Sequence, residues 1–341
     1  MNGIRIAVWG LVAIAVLAVL YVAQPVLLPL AAAFLLSFVL RPISRALGRL
    51  GSPAPLSALL LVALLGGGVV YGIYRLGEPA EQWLNEAPRS LQQLQYRLRS
   101  LKKSITRVQS ATEEVSRLGK GGEEASKEVV VEDSNLDSQL LIKTQEVAVG
   151  LFTTLVLLFF ILGWGDRLYR NVVNALPHFR EQRRAVLIAH DVESAITVYL
   201  GTITLINIVL GVVVGGLMYL MGMPNPVLWG VMAGVNNYVP YLGPAITAAV
   251  LAFVALLSYP SVAEALLVPG AFLIITSLEG YIITPMAVGR RLTLNPLLIM
   301  LSLLFWFWMW GVVGALLTVP ALVCLKVIFE RVHPPTAHIL D

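Results

Sequence analysis

The chain has 341 residues, of which 57% are hydrophobic and 13% charged, with a formal net charge of +4 and a mean hydropathy of +0.80. That balance excludes an ordinary soluble domain and predicts an all-α, polytopic helical membrane protein with the lipid bilayer as its main partner. No basic run is interleaved with stacking aromatics, so no nucleic-acid partner is expected, and the lone Cys324 excludes an intrachain disulfide.

Apolar stretches near the ~20 residues that cross about 30 Å of hydrocarbon fall at 4–22, 27–40, 56–73, 147–162, 198–220, 227–257, 263–283 and 297–328. They predict about eight transmembrane segments. The grouping is three N-terminal helices (1–77), an extracytoplasmic insertion (78–144), a fourth helix with a cytoplasmic amphipathic helix (145–197), a transport core (198–330) and a cytoplasmic tail (331–341). The first stretch is too long for the apolar part of a secretion signal, and no small-x-small cleavage site follows it before Gln24-Pro25, so it reads as a retained span with a cytoplasmic N-terminus. Gln24, Pro25 and Pro29 are expected to turn the chain into an antiparallel second span, because an interior proline removes a helix hydrogen bond. Arg41, Arg45 and Arg49 then form a basic loop, cytoplasmic by the positive-inside rule.

Within the insertion, Leu91, Leu94, Leu98, Leu101, Ile105, Val108, Thr112 and Val115 keep alternating 3-4 spacing. Two readings stand: a heptad seam for a coiled coil, or an amphipathic helix lying on the membrane or on its own protomer. Residues 119–135 are rich in Gly, Glu and Ser and read as a flexible linker. After the fourth span, Ala185, Ile188, Ala189, Val192 and Ile196 share one helical face beside five arginines, which predicts a surface helix along the cytoplasmic interface. His190, Asp191 and Glu193 fall in that helix and read as a solvated polar face rather than metal ligands.

The last third is written twice. Asn225-Pro226 opens an apolar run broken at Pro240-Tyr241-Leu242-Gly243-Pro244, and Asn295-Pro296 opens another broken at Trp310-Gly311, with Gly314 beyond. In lipid, a broken helix persists only where protein or a water-filled cavity satisfies the freed backbone groups, and paired broken segments point to a transport site near the midplane. If each run is a re-entrant hairpin, Arg290-Arg291, Lys326 and Arg331 all fall on the cytoplasmic side. The result is span plus hairpin, twice, in opposite orientation: an inverted repeat.

Polar groups inside these spans are the site candidates. Glu279 is the one acid well inside an apolar span, where a charge costs roughly 2.5–3.5 kcal/mol. It reads either as a proton- or cation-coupling carboxylate or as a structural partner of Arg290, Arg291 or the backbone near Thr284-Pro285. Asn236, Asn237 and Tyr238 precede the first break and can replace lost backbone partners or hold a polar solute. Pro240, Tyr241, Gly243 and Pro244 shape its tip. Asn207, mid-span with Thr202 and Thr204, lines the same cavity or glues helices together. Asn295 and Gly311 mark the second hairpin. No nucleotide-binding loop, nucleophile elbow or metal-ligand spacing is present, so neither an enzyme nor a cofactor is expected.

The run Asn237-Tyr238-Val239-Pro240-Tyr241-Leu242-Gly243-Pro244 resembles the Asn-aromatic-Ile-Pro-Tyr-Ile-Gly signature of the AI-2E family transporters. Leu278-Glu279-Gly280, Thr284-Pro285 and Gly289-Arg290-Arg291-Leu292 resemble a second signature, and Asn295-Pro296-Leu297-Leu298 with Trp310-Gly311, Gly314 and Pro320 its last segment. The resemblance implies a bacterial inner-membrane protein that is a homo-oligomer, with a pentamer as one expected state. It also implies either export of the signal autoinducer-2 or exchange of sodium or lithium for protons. Thr247, Ala249 and Tyr281 depart from the family pattern, standing where relatives often have Gly, Pro and Asn. The expected function is therefore secondary transport of a small polar solute. The alternatives are a Na+(Li+)/H+ antiporter using Glu279 and a non-transporting scaffold that recruits partners through 91–115.

Overall fold

The computed structural model describes residues 2–113, 136–175, 178–288 and 295–332. The described elements are helices: α1 (Asn2–Val22), α2 (Gln24–Arg49), α3 (Ala54–Glu113), α4 (Leu136–Asn174), α5 (Phe179–Leu220), α6 (Pro226–Asn236), α7 (Leu242–Ser258), α8 (Val262–Leu278), α9 (Thr284–Val288) and α10 (Pro296–Val332), with a π-turn (Glu279–Ile283) between α8 and α9. Six of the helical stretches are long and apolar enough to cross a membrane, and α6, α7 and part of α1 are shorter apolar helices. The linker at 119–135 and the pair Arg290-Arg291 lie outside the described residues, as does most of the tail.

Three boundaries differ from expectation. First, α1 and α2 are separated by Ala23 alone, with φ −80° and ψ 4°, and its N–H and C=O bond to Val19 and Leu27 on either side. Prolines in the first turn of a helix sacrifice donors that would lack partners anyway, so the chain bends there and does not reverse into an antiparallel pair. Second, α5 runs unbroken through 197. The expected surface helix is its first part, because no Gly or Pro stands between Glu193 and Val198. The face carrying Ala185, Ile188, Ala189, Val192 and Ile196 is still its covered side. Third, α3 continues through 91 to Glu113 as one helix with the span before it.

Both broken runs fold back on themselves. Asn236 and Gly243 are seven residues apart, about 10 Å along a straight helix, yet a Cβ built on Gly243 would lie 1.8 Å from the Asn236 carbonyl oxygen. In α10 the backbone leaves helical geometry at Trp310 (φ −130°) and Gly311 (φ 60°), and a Cβ on Gly314 would lie 2.1 Å from the Trp306 carbonyl oxygen. Four residues beyond each pinched glycine, a fully buried threonine donates back to its carbonyl: Thr247 to Gly243 at 2.9 Å and Thr318 to Gly314 at 3.3 Å. The incoming arm α6 has 11 residues, about 16 Å, half the hydrocarbon thickness. Val239 at the first tip packs with Leu303 and Ala315 from the two arms of the second. The two hairpins thus meet.

The remaining helices hold these hairpins in place. Trp229 and Ala233 of α6 share one apolar core with Leu210, Val214 and Met218 of α5, Leu251 and Val254 of α7 and Phe272 of α8. At the second tip, Met309, Trp310 and Leu317 pack on Leu20, Leu27, Leu28 and Ala31, and the Trp310 indole donates to the Leu20 carbonyl at 3.1 Å. The aromatic run around Trp306 therefore fastens α10 to the N-terminal helices. At the basic end of α5, outside its apolar stretch, Glu193 pairs with Arg41 at 2.8 Å and Arg45 at 2.6 Å, while Arg41 also reaches Asp166 at 3.7 Å.

Candidate functional site

The site forms where the first hairpin tip meets α5 and the π-turn. The close crossing of α5 and α6 makes this possible: Gly211 and Gly215 on one helix face Gly230 and Gly234 on the other, and a Cβ on Gly234 would come within 2.7 Å of the Asn207 carbonyl oxygen. Small residues of this kind let membrane helices approach backbone to backbone. The contact carries Asn237, the residue capping α6, next to Asn207 of α5. The Asn237 amide nitrogen donates to Asn207 Oδ1 at 2.9 Å and to Glu279 Oε2 at 3.3 Å.

Glu279 is 7% exposed and is the only buried acid among the described residues. Its second oxygen accepts from the Thr284 hydroxyl, and the π-turn explains that pairing. Residues five apart diverge around an α-helix, but an i→i+5 turn brings them onto one face. The Thr284 N–H accordingly bonds the Glu279 carbonyl, and its hydroxyl follows to the carboxylate. Among the described residues no Lys or Arg forms an ion pair with Glu279, while Arg290 and Arg291 lie outside them.

The other candidates fall around this core in distinct roles. Asn236 donates to Thr247 Oγ1 at 3.1 Å and so ties the two arms of the hairpin. The Tyr238 hydroxyl donates to Thr204 Oγ1 of α5 at 2.9 Å. Pro240 accepts from the Leu242 N–H at 2.6 Å, Tyr241 is 52% exposed with φ 62°, and Gly243 and Pro244 sit in the first turn of α7. Pro285 is exposed in α9. Asn295 and Gly311 stand apart: Asn295 Oδ1 accepts the Leu297 N–H at 2.9 Å at the start of α10, and Gly311 forms its bend. Thr204, named beside Asn207 in the sequence, and Thr247, seen there only as a departure from the family pattern, both hydrogen-bond to these residues. The repeated Gly-x-x-x-Thr of Gly243/Thr247 and Gly314/Thr318 was the available signal for the second. No cluster of three His, Cys, Asp or Glu able to hold a metal occurs among the described residues.

A buried acid tied by neutral donors to the tip of a re-entrant hairpin is the arrangement expected of a solute or ion pathway. The comparison with known sequences decides the class, because the model of the AI-2E family transporters matches residues 11–333. The chain belongs to the AI-2E family. Like other members it is a multi-pass membrane transporter. It is 24% identical to the AI-2 transport protein TqsA of Escherichia coli over 97% of this chain and 93% of that one. It is 26% identical to the Bacillus subtilis protein YrrI over 90% and 86% of the two chains, and 36% identical to Escherichia coli YhhT over 41% and 40%.

Proposed function

We propose that this AI-2E family chain is a secondary transporter of the bacterial inner membrane that exports a small polar solute, with Glu279 coupling the flux to a proton or monovalent cation. The observation that carries this reading is the single amide of Asn237, shared between Asn207 and Glu279. Moving the hairpin tip breaks one or both bonds and alters what faces the buried acid. Conversely, charge neutralisation at Glu279 alters its hold on the tip. Linkage of this kind is reciprocal by thermodynamic necessity. A carboxylate held by one hydroxyl and one amide N–H is a hard-oxygen ligand that can exchange these neutral donors for a proton or a small cation. The choice of solute leans on TqsA, whose name gives it as an AI-2 transport protein.

In a second reading sodium or lithium is itself the cargo exchanged for protons. Glu279→Gln in proteoliposomes separates the two. Under the first reading, gradient-driven solute accumulation is lost while solute counterflow without a gradient persists. Under the second, sodium-dependent proton movement vanishes and no solute flux is found in either protein. Undiminished gradient-driven transport by Glu279→Gln would exclude the coupling role.

A further inference from the structure

Between Glu279 and the basic end of α5 lies an apolar cluster. Ile196 and Leu200 of α5 pack there with Val319 and Val323 of α10 and with Leu35 and Phe38 of α2. The first four are buried, none more than 6% exposed. Glu193 stands just outside the cluster, and Asn207 is joined to Glu279 through the Asn237 amide. These two residues of α5 are separated by about 21 Å of unbroken helix. Tyr199 belongs to the same cluster and is near enough to Glu279 for the carboxylate charge to act on its phenol. Buried acid therefore borders the inner side of the cluster, where α9 packs along α5. Charge fastens the outer side: Arg41 and Arg45 of α2 pair with one oxygen of Glu193 at 2.8 and 2.6 Å, and the Arg41 guanidinium lies 5.9 Å from the Phe38 ring. The residue that stacks on the seal thus also holds the latch.

We propose that this cluster is the gate between Glu279 and the cytoplasm: it bars the coupling ion while Glu193 holds Arg41 and Arg45, and it opens when α2 parts from α5. Apolar constrictions exclude ions by dewetting, and a charge at membrane depth is costly. Tyr199 supplies the hydroxyl that meets the ion on the inner side, one step from the carboxylate. Alternating access needs a closure on either side of the site, and this cluster is the closure toward the basic end. The gate rests on the reading of Glu279 as the coupling group and adds the route by which that acid is reached.

The chain carries its own reporter, since Cys324, its only cysteine, packs against the cluster. The full chain in lipid nanodiscs is treated with a charged methanethiosulfonate, which reaches thiols through water. Separately, a water-soluble carbodiimide with glycine ethyl ester is used to modify carboxylates, and both products are read by peptide mass spectrometry. Cys324 and Glu279 should react slowly in the unaltered chain. Glu193→Gln, and separately Arg41→Ala with Arg45→Ala, should speed both by about tenfold, the rise in open fraction that follows loss of a charge-assisted hydrogen bond. In a Cys324→Ser background, Arg45→Cys with Glu193→Cys should likewise make Glu279 react fast. Bridging the two introduced thiols with a bifunctional thiosulfonate should restore the slow rate, which a misfolded variant could not do. Unchanged rates at both residues, or a fast Cys324 beside a slow Glu279, would overturn the gate. So would a completed bridge that leaves Glu279 fast. These labelling results need no transport, so they decide the gate even where Glu279→Gln leaves flux undiminished, the result that removes the coupling role alone.

Discussion

The pinched glycines give the sharpest test of the hairpin geometry. In Gly243→Ala the new methyl would lie 1.8 Å from the Asn236 oxygen and 2.5 Å from its carbonyl carbon, against the 3.0 Å below which real Cβ contacts essentially never fall. Both offending atoms are backbone, so no rotamer change relieves them. The arms must part by more than an ångström. Overpacking of this kind costs about 1–3 kcal/mol, and the rigid partner puts this case near the upper end, about 3 kcal/mol. At roughly 2–4 °C per kcal/mol for a large domain, the melting midpoint should drop by on the order of 6 °C or more. Unfolding in detergent can be followed through the seven tryptophans. Gly314→Ala, with a 2.1 Å approach to the Trp306 oxygen, should behave alike. Gly72→Ala is the control, since nothing lies within 4 Å of its Cβ position. If Gly243→Ala and Gly314→Ala melt together with Gly72→Ala, the folded-back hairpins are wrong.

Three further outcomes are expected. Asn237→Leu strips donors from Asn207 and Glu279 together; each buried group left unpaired costs about 1–3 kcal/mol, and vesicle flux should fall with stability, whereas Tyr241→Phe at the exposed tip should leave the melt unchanged. Thr247→Val should destabilise more than Thr318→Val in the same melting assay, by about 1 kcal/mol, because Thr247 both donates to Gly243 and accepts from Asn236 while Thr318 only donates to Gly314. At the basic end of α5, burial raises the Glu193 carboxyl, but the hydrogen bonds and charges of Arg41 and Arg45 outweigh it and hold the group below its ordinary value of 4.5. A lowered folded value means a stability contribution present above pH 4.5 and lost as pH falls through the folded value. The double variant Arg41→Ala, Arg45→Ala should flatten the acid limb of a stability-against-pH curve in that window, and an unchanged limb would refute the assignment.

The hairpins were legible because Gly and Pro punctuate an apolar run too long for one crossing, and membrane backbone tolerates such breaks only for cause. Asn237, Glu279 and Thr284 could be named from polarity at depth, but their meeting could not. It depends on a π-turn, and a one-residue change of helical phase leaves no mark in composition: Glu279-Gly280-Tyr281 reads like any helix. The turn expected from Gln24, Pro25 and Pro29 was misjudged because proline in a first turn is compatible with continuation, so Pro25 bends the helix without reversing it. The unbroken α5 was missed because polarity changes near Glu193 while the backbone has no reason to stop. Thr247, seen only as a departure from the family pattern, proved to be a clamp between the arms.

The two hairpins share a closure but not a chemistry at the tip. The second is nailed by packed indoles to the N-terminal helices, with Trp310 reaching Leu20, and the first ends in amides that hold their neighbours by single hydrogen bonds worth about 0.5–1.5 kcal/mol each. One backbone closure therefore appears twice, once as a post and once as an arm. On the proposed transport reading, any movement of the hairpins falls on the tip of the first, because its polar fastenings are single hydrogen bonds, one of them to Glu279.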